Sequence, residues 1–191
     1  MGVITAVVIG NGLSREGMDL DALRDVGHTI GCNWLYRDWM PDTLVTIDTP
    51  PQHEIIGKYG LHPPFNHLAQ NVTRTHALLN RKVLCKRPSG PYWNNSGVMA
   101  TWYAAAFLEA ERIYLVGVDF FRATDRKTDA GKPTNDIYGI NTIGRAIHLC
   151  FKHLALEFPD VELIRVGPVH ERDSAFYDKH IAPYMTLQDT L

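Results

Sequence analysis

VITAVVIGNGLS, residues 3–14, is the stretch from which the fold can be predicted. Residues 3–10 are β-branched and apolar almost throughout, which is typical of a strand buried on both faces of a parallel sheet. The strand runs directly into Gly10-Asn11-Gly12, and the hydroxyl of Ser14 follows. Two interpretations of this segment are open: an ordinary turn, or a turn whose glycines let the backbone approach a bound ligand closely.

Length and charge limit the classes of function. The chain has 191 residues, of which 45% are hydrophobic and 21% charged, enough for one sizeable core and not for two full domains. The formal net charge of −2 argues against a surface that binds nucleic acid backbones nonspecifically. A pocket for a single nucleotide remains compatible with this charge, because such a pocket needs only local groups.

Cysteine use and hydropathy indicate the compartment. Cys32, Cys85 and Cys150 are scattered and form no CxxC pair, which predicts a reduced protein without disulfides or a cysteine zinc site. No window reaches the roughly 18 consecutive apolar residues of a membrane helix. The N-terminus lacks the basic region and cleavage site of a signal peptide. We therefore expect a cytoplasmic protein without a membrane span.

Apolar runs alternate with helical patterns along the rest of the chain. After the first strand, the sequence predicts strands at 29–33, 43–48, 82–86, 112–118 and 161–166, and helices at 19–26, 98–110 and 143–158. Thr49-Pro50-Pro51 is expected to stop regular structure after the third strand.

This alternation predicts an α/β protein with a single doubly wound, mostly parallel sheet and helices on both faces, a Rossmann-like architecture. We place a nucleotide-binding domain at residues 1–170 and a C-terminal tail at 171–191 that packs on it. Residues 122–136 are expected to form a mobile loop, either a lid over the site or a plain connection.

Small and polar residues recur where the predicted strands end. In an open parallel sheet, ligands bind beyond the carboxyl ends of the strands. Each of these residues also has a purely structural interpretation, as a turn, a helix cap or a strand end. The candidate binding and catalytic residues on this basis are Gly10, Asn11, Gly12, Ser14, Asn33, Asp48, Thr49, Asn95, Ser96, Gly97, Gly117 and Asp119.

Several common catalytic motifs are missing from the sequence. GNGLSREG lacks the third glycine of a dinucleotide-binding fingerprint, and no Gly-Lys-Ser/Thr marks a P-loop. No GxSxG elbow supports Ser14 or Ser96 as a nucleophile, and the histidines do not form HExxH. A serine hydrolase is therefore the least supported hypothesis.

Four short motifs occur in an order that resembles a known family. They are Gly10-Asn11-Gly12-Leu13-Ser14, Gly31-Cys32-Asn33, Asn95-Ser96-Gly97-Val98 and residues 113–121, IYLVGVDFF. In these motifs the chain resembles the bacterial sialyltransferases of the Campylobacter type, together with motility-associated and pterin pyrophosphokinase-like proteins of the same broad group. The segment CNWLYRDWMPDTLVTID, residues 32–48, also resembles small bacteriophage members of this group.

The resemblance implies a glycosyltransferase-A-like variant of the Rossmann-like fold, with a nucleotide pocket but without the complete apparatus for sialyl transfer. By this resemblance, the residues that would line the pocket are Asn11, Gly12, Asn33, Ser96, Gly97 and Gly117. The family's catalytic histidine aligns with Ile140 or Asn141. Of the family's tyrosines that support the departing phosphate, one is replaced by Phe121, which lacks the hydroxyl and is kept as a nucleotide-binding candidate. Tyr138 is the candidate for the catalytic role of the other tyrosine.

Three functions follow from these observations. The first is a nucleotide- or nucleotide-sugar-dependent transferase, in which Asp48 or Asp119 acts as base or as ligand to Mg²⁺. A pyrophosphokinase-like enzyme with ATP and Mg²⁺ is a variant of it. The second is an inactive module that binds a nucleotide, favoured by the missing histidine, and the third is the serine hydrolase. Relatives of this kind often associate, so a homo-oligomer is a further expectation.

Overall fold

The computed structural model shows one parallel sheet, and it describes residues 2–60, 62–69, 95–119, 143–169 and 171–189. Within these residues, seven strands pair in the order β4-β3-β2-β1-β5-β6-β7, and every pairing is parallel. The order runs outward from β1 on one side and from β5 on the other. This is a doubly wound, Rossmann-like α/β architecture, so the predicted fold class is confirmed.

The described strands and helices have the following bounds. The strands are β1 (Thr5–Ile9), β2 (His28–Cys32), β3 (Thr43–Thr46), β4 (Asn66–Ala69), β5 (Arg112–Val116), β6 (Glu162–Val166) and β7 (Thr186–Gln188). The α-helices are α1 (Thr49–Tyr59), α2 (Ser96–Phe107), α3 (Ile143–Glu157) and α4 (Glu171–Phe176). Short 3-10 turns span Leu13–Arg15, Ala22–Asp25 and Asn33–Arg37, and a π-helical turn spans Tyr177–Ile181.

The sheet is buried on both faces, as its apolar strands predict. Ala6 and Val8 face a core built with α2 and α3, whereas Val7 and Ile9 face a second core built with α1 and the 3-10 turns. All four side chains are fully buried. Helix α3 buries Ile147, Cys150, Phe151 and Leu154, which lie at helical spacing on one face.

Two local predictions are wrong, and an edge strand was not predicted. Thr49-Pro50-Pro51 starts α1 instead of stopping regular structure, because proline is tolerated in the first helical turn, where the missing N–H has no partner to lose. The expected helix over 19–26 shortens to the 3-10 turn at Ala22–Asp25. Strand β4 was not predicted, since NHLA carries only two apolar side chains at the edge of the sheet.

The described part of the C-terminal tail contributes to the same sheet. Strand β7 pairs with β6 through Arg165↔Leu187, and Gly167 donates its N–H to the carbonyl of Gln188 at 2.8 Å. Among the described helices, none combines the length and the apolar character that crossing a membrane requires. The predicted strand at 82–86 and the predicted loop at 122–136 lie outside the described residues.

Candidate functional site

The strand order reverses between β1 and β5, and the loops after these two strands are joined by backbone hydrogen bonds. Gly10 N–H donates to the Val116 carbonyl at 2.8 Å, and Gly12 N–H donates to the Gly117 carbonyl at 2.7 Å. A Cβ at Gly10 would lie 2.3 Å from the Gly117 carbonyl oxygen, and one at Gly12 would lie 2.6 Å from the same atom. The close approach of two backbones therefore requires glycine in this turn.

Asn11, the residue between these glycines, is buried, and its side-chain amide hydrogen-bonds other groups of the protein. Its Nδ2 donates to the Cys32 carbonyl at 2.9 Å, and its Oδ1 accepts from Arg15 Nη2 at 3.3 Å. The same Arg15 nitrogen bonds Asp38 Oδ2 at 2.8 Å. Asn11 thus ties the turn after β1 to the end of β2.

Asp119, the carboxylate that follows β5, accepts from donors on two other elements. Ser14 donates through its N–H to Oδ2 at 3.1 Å and through its hydroxyl to Oδ1 at 2.5 Å. Arg165 Nη2 on β6 lies 3.2 Å from Oδ1. The Asp119 side chain is 8% exposed and that of Arg165 is 1% exposed. This carboxylate is part of a buried ion pair, with its charge compensated inside the protein.

Asp48, the carboxylate that follows β3, lies in a different environment. Asn33 Nδ2 donates to its Oδ2 at 2.8 Å, and no other donor to it is seen in the described part of the chain. Burial raises the pKa of Asp48, and the hydrogen bond from Asn33 opposes that rise. Asp48 is therefore a half-buried carboxyl group without a cationic partner among the described residues.

Asn33 is held in the conformation that presents its amide to Asp48. Its φ is +47°, in the left-handed region that asparagine tolerates better than most residues. Its Oδ1 accepts from the Ile47 N–H at 3.2 Å while its Nδ2 reaches Asp48. One side chain thereby links the end of β2 to the end of β3 and orients the carboxylate.

The start of α2 is explained by capping. Asn95 Oδ1 accepts from the N–H groups of Gly97 at 2.9 Å and Val98 at 3.2 Å, as expected of an N-cap. Ser96 is buried, and its side chain hydrogen-bonds the Cys32 thiol, whose pKa burial raises to about 12. Gly97 packs toward Val118. The predicted cap is confirmed, and it occupies two of the donors that a ligand would use.

The remaining predicted site residues divide into two groups. Thr49 is exposed as the first residue of α1, next to Asp48. Phe121 and Tyr138 lie outside the described residues. Their predicted roles stay predictions.

The two predicted carboxylates do not converge on one metal. In the strand order, β2 and β1 separate β3 from β5, so the two strands that Asp48 and Asp119 follow are roughly 14 Å apart at about 4.8 Å per strand. In the described part of the chain, no three His, Cys, Asp or Glu side chains are grouped as metal ligands. If Mg²⁺ binds here, one of these carboxylates would hold it together with water and a ligand's phosphates.

Sequence reasoning missed the two arginines at this edge. Arg15 and Arg165 are the largest fully buried side chains of the described residues, and both pair with aspartates there. A signal for Arg165 existed, because it is a charged residue inside the apolar strand VELIRV.

At this edge the strand ends are linked by side-chain hydrogen bonds, and Asp48 is the less compensated of the two carboxylates predicted from the sequence. Comparison with known proteins adds no family to this picture: no family model matches the sequence, and no curated protein matches it either.

Proposed function

We propose that this chain is a nucleotide- or nucleotide-sugar-binding transferase, glycosyltransferase-like in its chemistry, with its pocket at the carboxyl ends of the strands. The observation that supports it most directly is the pair formed by Asn33 and Asp48, 2.8 Å apart. Doubly wound sheets bind their ligands at this edge. A half-buried carboxylate with a raised pKa at such an edge is a candidate for a catalytic acid or base.

In this proposal Asp48 is the general base. Its carboxylate takes the proton from an acceptor hydroxyl as the acceptor oxygen bonds to the transferred group, and the nucleotide departs with the electron pair of the broken bond. The raised pKa makes Asp48 a stronger base than an exposed aspartate, and such a group contributes roughly 10²- to 10⁴-fold in rate. Asn33 is a positioning residue that holds one carboxylate oxygen and leaves the other toward the acceptor.

A module that binds a nucleotide without turnover is the second candidate. The environment of Asp119 favours this candidate. Arg165 and Ser14 compensate the charge of the Asp119 carboxylate, so this group is poorly available as a base or metal ligand. A pyrophosphokinase-like transferase is the Mg²⁺-dependent variant of the main proposal, with ATP as donor. We also keep a homo-oligomer as a proposal for the assembly.

The first experiment measures thermal stability against CMP, CDP, CTP, UDP, ADP, ATP and GDP, each with and without Mg²⁺. A ligand at a hundred times its dissociation constant stabilises by about 2.7 kcal/mol, which is a readily measured shift. A shift confined to cytidine nucleotides would support a CMP-sugar donor, and one with ATP and Mg²⁺ would support the pyrophosphokinase-like variant. Absence of any shift would contradict the nucleotide pocket.

Matched variants then separate chemistry from binding. Asp48→Asn should abolish consumption of the bound donor while the thermal shift persists. Asp42→Asn is the control, because Asp42 immediately precedes β3 at the opposite edge of the sheet. Wild-type protein that binds the nucleotide but consumes no donor with any acceptor tested would favour the binding module.

A further inference from the structure

The carboxylate of Asp119 occupies a set of donors suited to an anion. Ser14 supplies a backbone N–H at 3.1 Å and a hydroxyl at 2.5 Å, and the Arg165 guanidinium lies 3.2 Å away. A Cβ at Gly12 would lie 2.4 Å from Asp119 Oδ2, so glycine at that position makes room for the carboxylate. We call these groups of Ser14 and Arg165 the Ser14–Arg165 anion site.

The donor chemistry of this site suits a phosphoryl group as well as a carboxylate. Backbone N–H groups, hydroxyls and arginine are the usual donors to phosphate oxygens, and arginine binds phosphate with particular geometric specificity. The site also lies where the strand order reverses between β1 and β5, the position at which doubly wound sheets bind their ligands.

The helix starts at this edge offer less to a phosphoryl group. In α2, Asn95 already accepts from the N–H groups of Gly97 and Val98. In α1, Pro50 and Pro51 have no N–H to donate. By contrast, the Ser14–Arg165 anion site directs a backbone N–H, a hydroxyl and a buried guanidinium at a single carboxylate.

We propose that the Ser14–Arg165 anion site is the phosphoryl subsite of this protein, and that Asp119 is a built-in anion that occupies it until a phosphoryl group of the ligand displaces it. The assignment of that ligand as a nucleotide rests on the proposed function. The subsite itself rests on the contacts of Asp119. Asp119 is then an autoinhibitory contact.

Competition by Asp119 has a quantitative consequence. When only a fraction of molecules has an open site, the apparent dissociation constant is the intrinsic one divided by that fraction. Removal of the carboxylate therefore lowers the apparent Kd. We expect the Asp119→Ala variant to bind inorganic pyrophosphate at least tenfold more tightly than the wild type does.

The experiment titrates pyrophosphate and inorganic phosphate into the full chain by calorimetry, with sodium chloride added to keep the ionic strength equal. Asp119→Ala should show saturable binding and a rise in melting temperature. The double variant Asp119→Ala/Arg165→Met should show neither, since it replaces both buried charges by apolar groups. Equal or weaker binding by Asp119→Ala than by the wild type would overturn the proposal.

A second control tests whether any uncovered arginine attracts phosphate. Asp38→Ala removes the carboxylate that pairs with buried Arg15 at 2.8 Å. A gain in affinity as large as that of Asp119→Ala would show generic attraction and overturn the proposal. Formate matches the removed carboxylate in size, so binding of formate without binding of phosphate or pyrophosphate would also overturn it.

Asp119→Ala could fail to fold without an anion, because Arg165 would be buried beside an empty space. Folding restored by phosphate and not by chloride would support the proposal. If the variant stays unfolded in phosphate, Asp119→Asn is titrated instead, and it must bind pyrophosphate more tightly than the wild type. Because these probes contain no nucleoside, pyrophosphate binding without any nucleotide shift would contradict the proposed function and leave the subsite standing.

Discussion

Asp48 and Asp119 follow two strands of one sheet at the same edge, but their surroundings differ. Asp119 accepts from Ser14 twice and pairs with Arg165, so its charge is compensated. Asp48 accepts from the neutral amide of Asn33, and burial raises its pKa. The partners of a carboxylate at a strand end therefore decide whether it stabilises the fold or is available for chemistry. Four predictions test this difference between Asp48 and Asp119.

The largest effect is expected at the buried pair. Arg165→Met leaves Asp119 buried without its cation, which should lower the free energy of unfolding by about 3–5 kcal/mol in denaturant titration. The double variant with Asp119→Ala should lose less, since no uncompensated charge remains. Glu162→Gln on the same strand removes an exposed partner of Arg112 and should change stability little. If Arg165→Met lowered the free energy of unfolding no more than Glu162→Gln does, the charge of Asp119 would not depend on Arg165, and Asp119 would no longer differ from Asp48 in this respect.

The turn between β1 and Ser14 should tolerate no added methyl group. Gly12→Ala places a Cβ 2.4 Å from Asp119 Oδ2 and should destabilise the protein by about 2–3 kcal/mol. Gly57→Ala is the matched control, because Gly57 lies inside α1 with open space around it. It should raise the free energy of unfolding by about 0.5–1 kcal/mol. Equal effects of the two alanines in denaturant titration would show that the turn is not closely packed.

A smaller loss is expected at the cap of α2. Asn95→Ala removes the acceptor for two N–H groups and should cost about 1 kcal/mol in thermal or denaturant unfolding. Asn95→Asp keeps a capping oxygen and should retain most of that stability. If Asn95→Ala instead abolished nucleotide binding without a loss of stability, Asn95 would be a ligand-binding residue and not a helix cap.

The smallest effect is a change in the pH dependence of stability. The folded state binds the proton of Asp48 more tightly than the unfolded chain, whose aspartate pKa is near 3.8. The free energy of unfolding should therefore fall as pH rises from that value through the folded pKa of Asp48. Asp48→Asn should remove this fall while its Oδ1 still accepts from Asn33.

Glu54 provides a control of opposite sign for the Asp48 experiment. Its hydrogen bond with Arg37 holds the pKa of Glu54 below its usual value. Its contribution to stability is present above pH 4.5, the value of the unfolded chain, and is lost as pH falls through the folded pKa. Glu54→Gln should remove that loss. Equal pH profiles for Asp48→Asn and the wild type would contradict the environment assigned to Asp48.

The elements that were predicted correctly carry local signals. The apolar runs of β1 and β5 predict buried strands, and Asn95 before an alanine-rich segment predicts a helix start. Strands β4 and β7 lack such a signal, because each is a short edge strand that is recognised by its pairing. The start of α1 was missed because proline disrupts the interior of a helix but is favoured in its first turn, and the sequence does not show which position a proline occupies.

The partners of the site residues could not be predicted in the same way. Ser14 and Asp119 are 105 positions apart, and Arg165 is 46 positions beyond Asp119. No periodicity in the sequence relates residues at such separations. Without these contacts, Asp48 and Asp119 are equivalent as candidates, since both are aspartates that follow apolar strands.

The sequence by itself therefore determined the doubly wound parallel architecture and the edge where polar residues collect, because hydrophobic patterning and strand ends are local properties of the chain. Only the tertiary structure decided that Asp119 is compensated and that Asp48 is held by Asn33. The physical reason is that charge compensation depends on distances of about 3 Å between atoms on different strands, and packing of the whole sheet sets those distances.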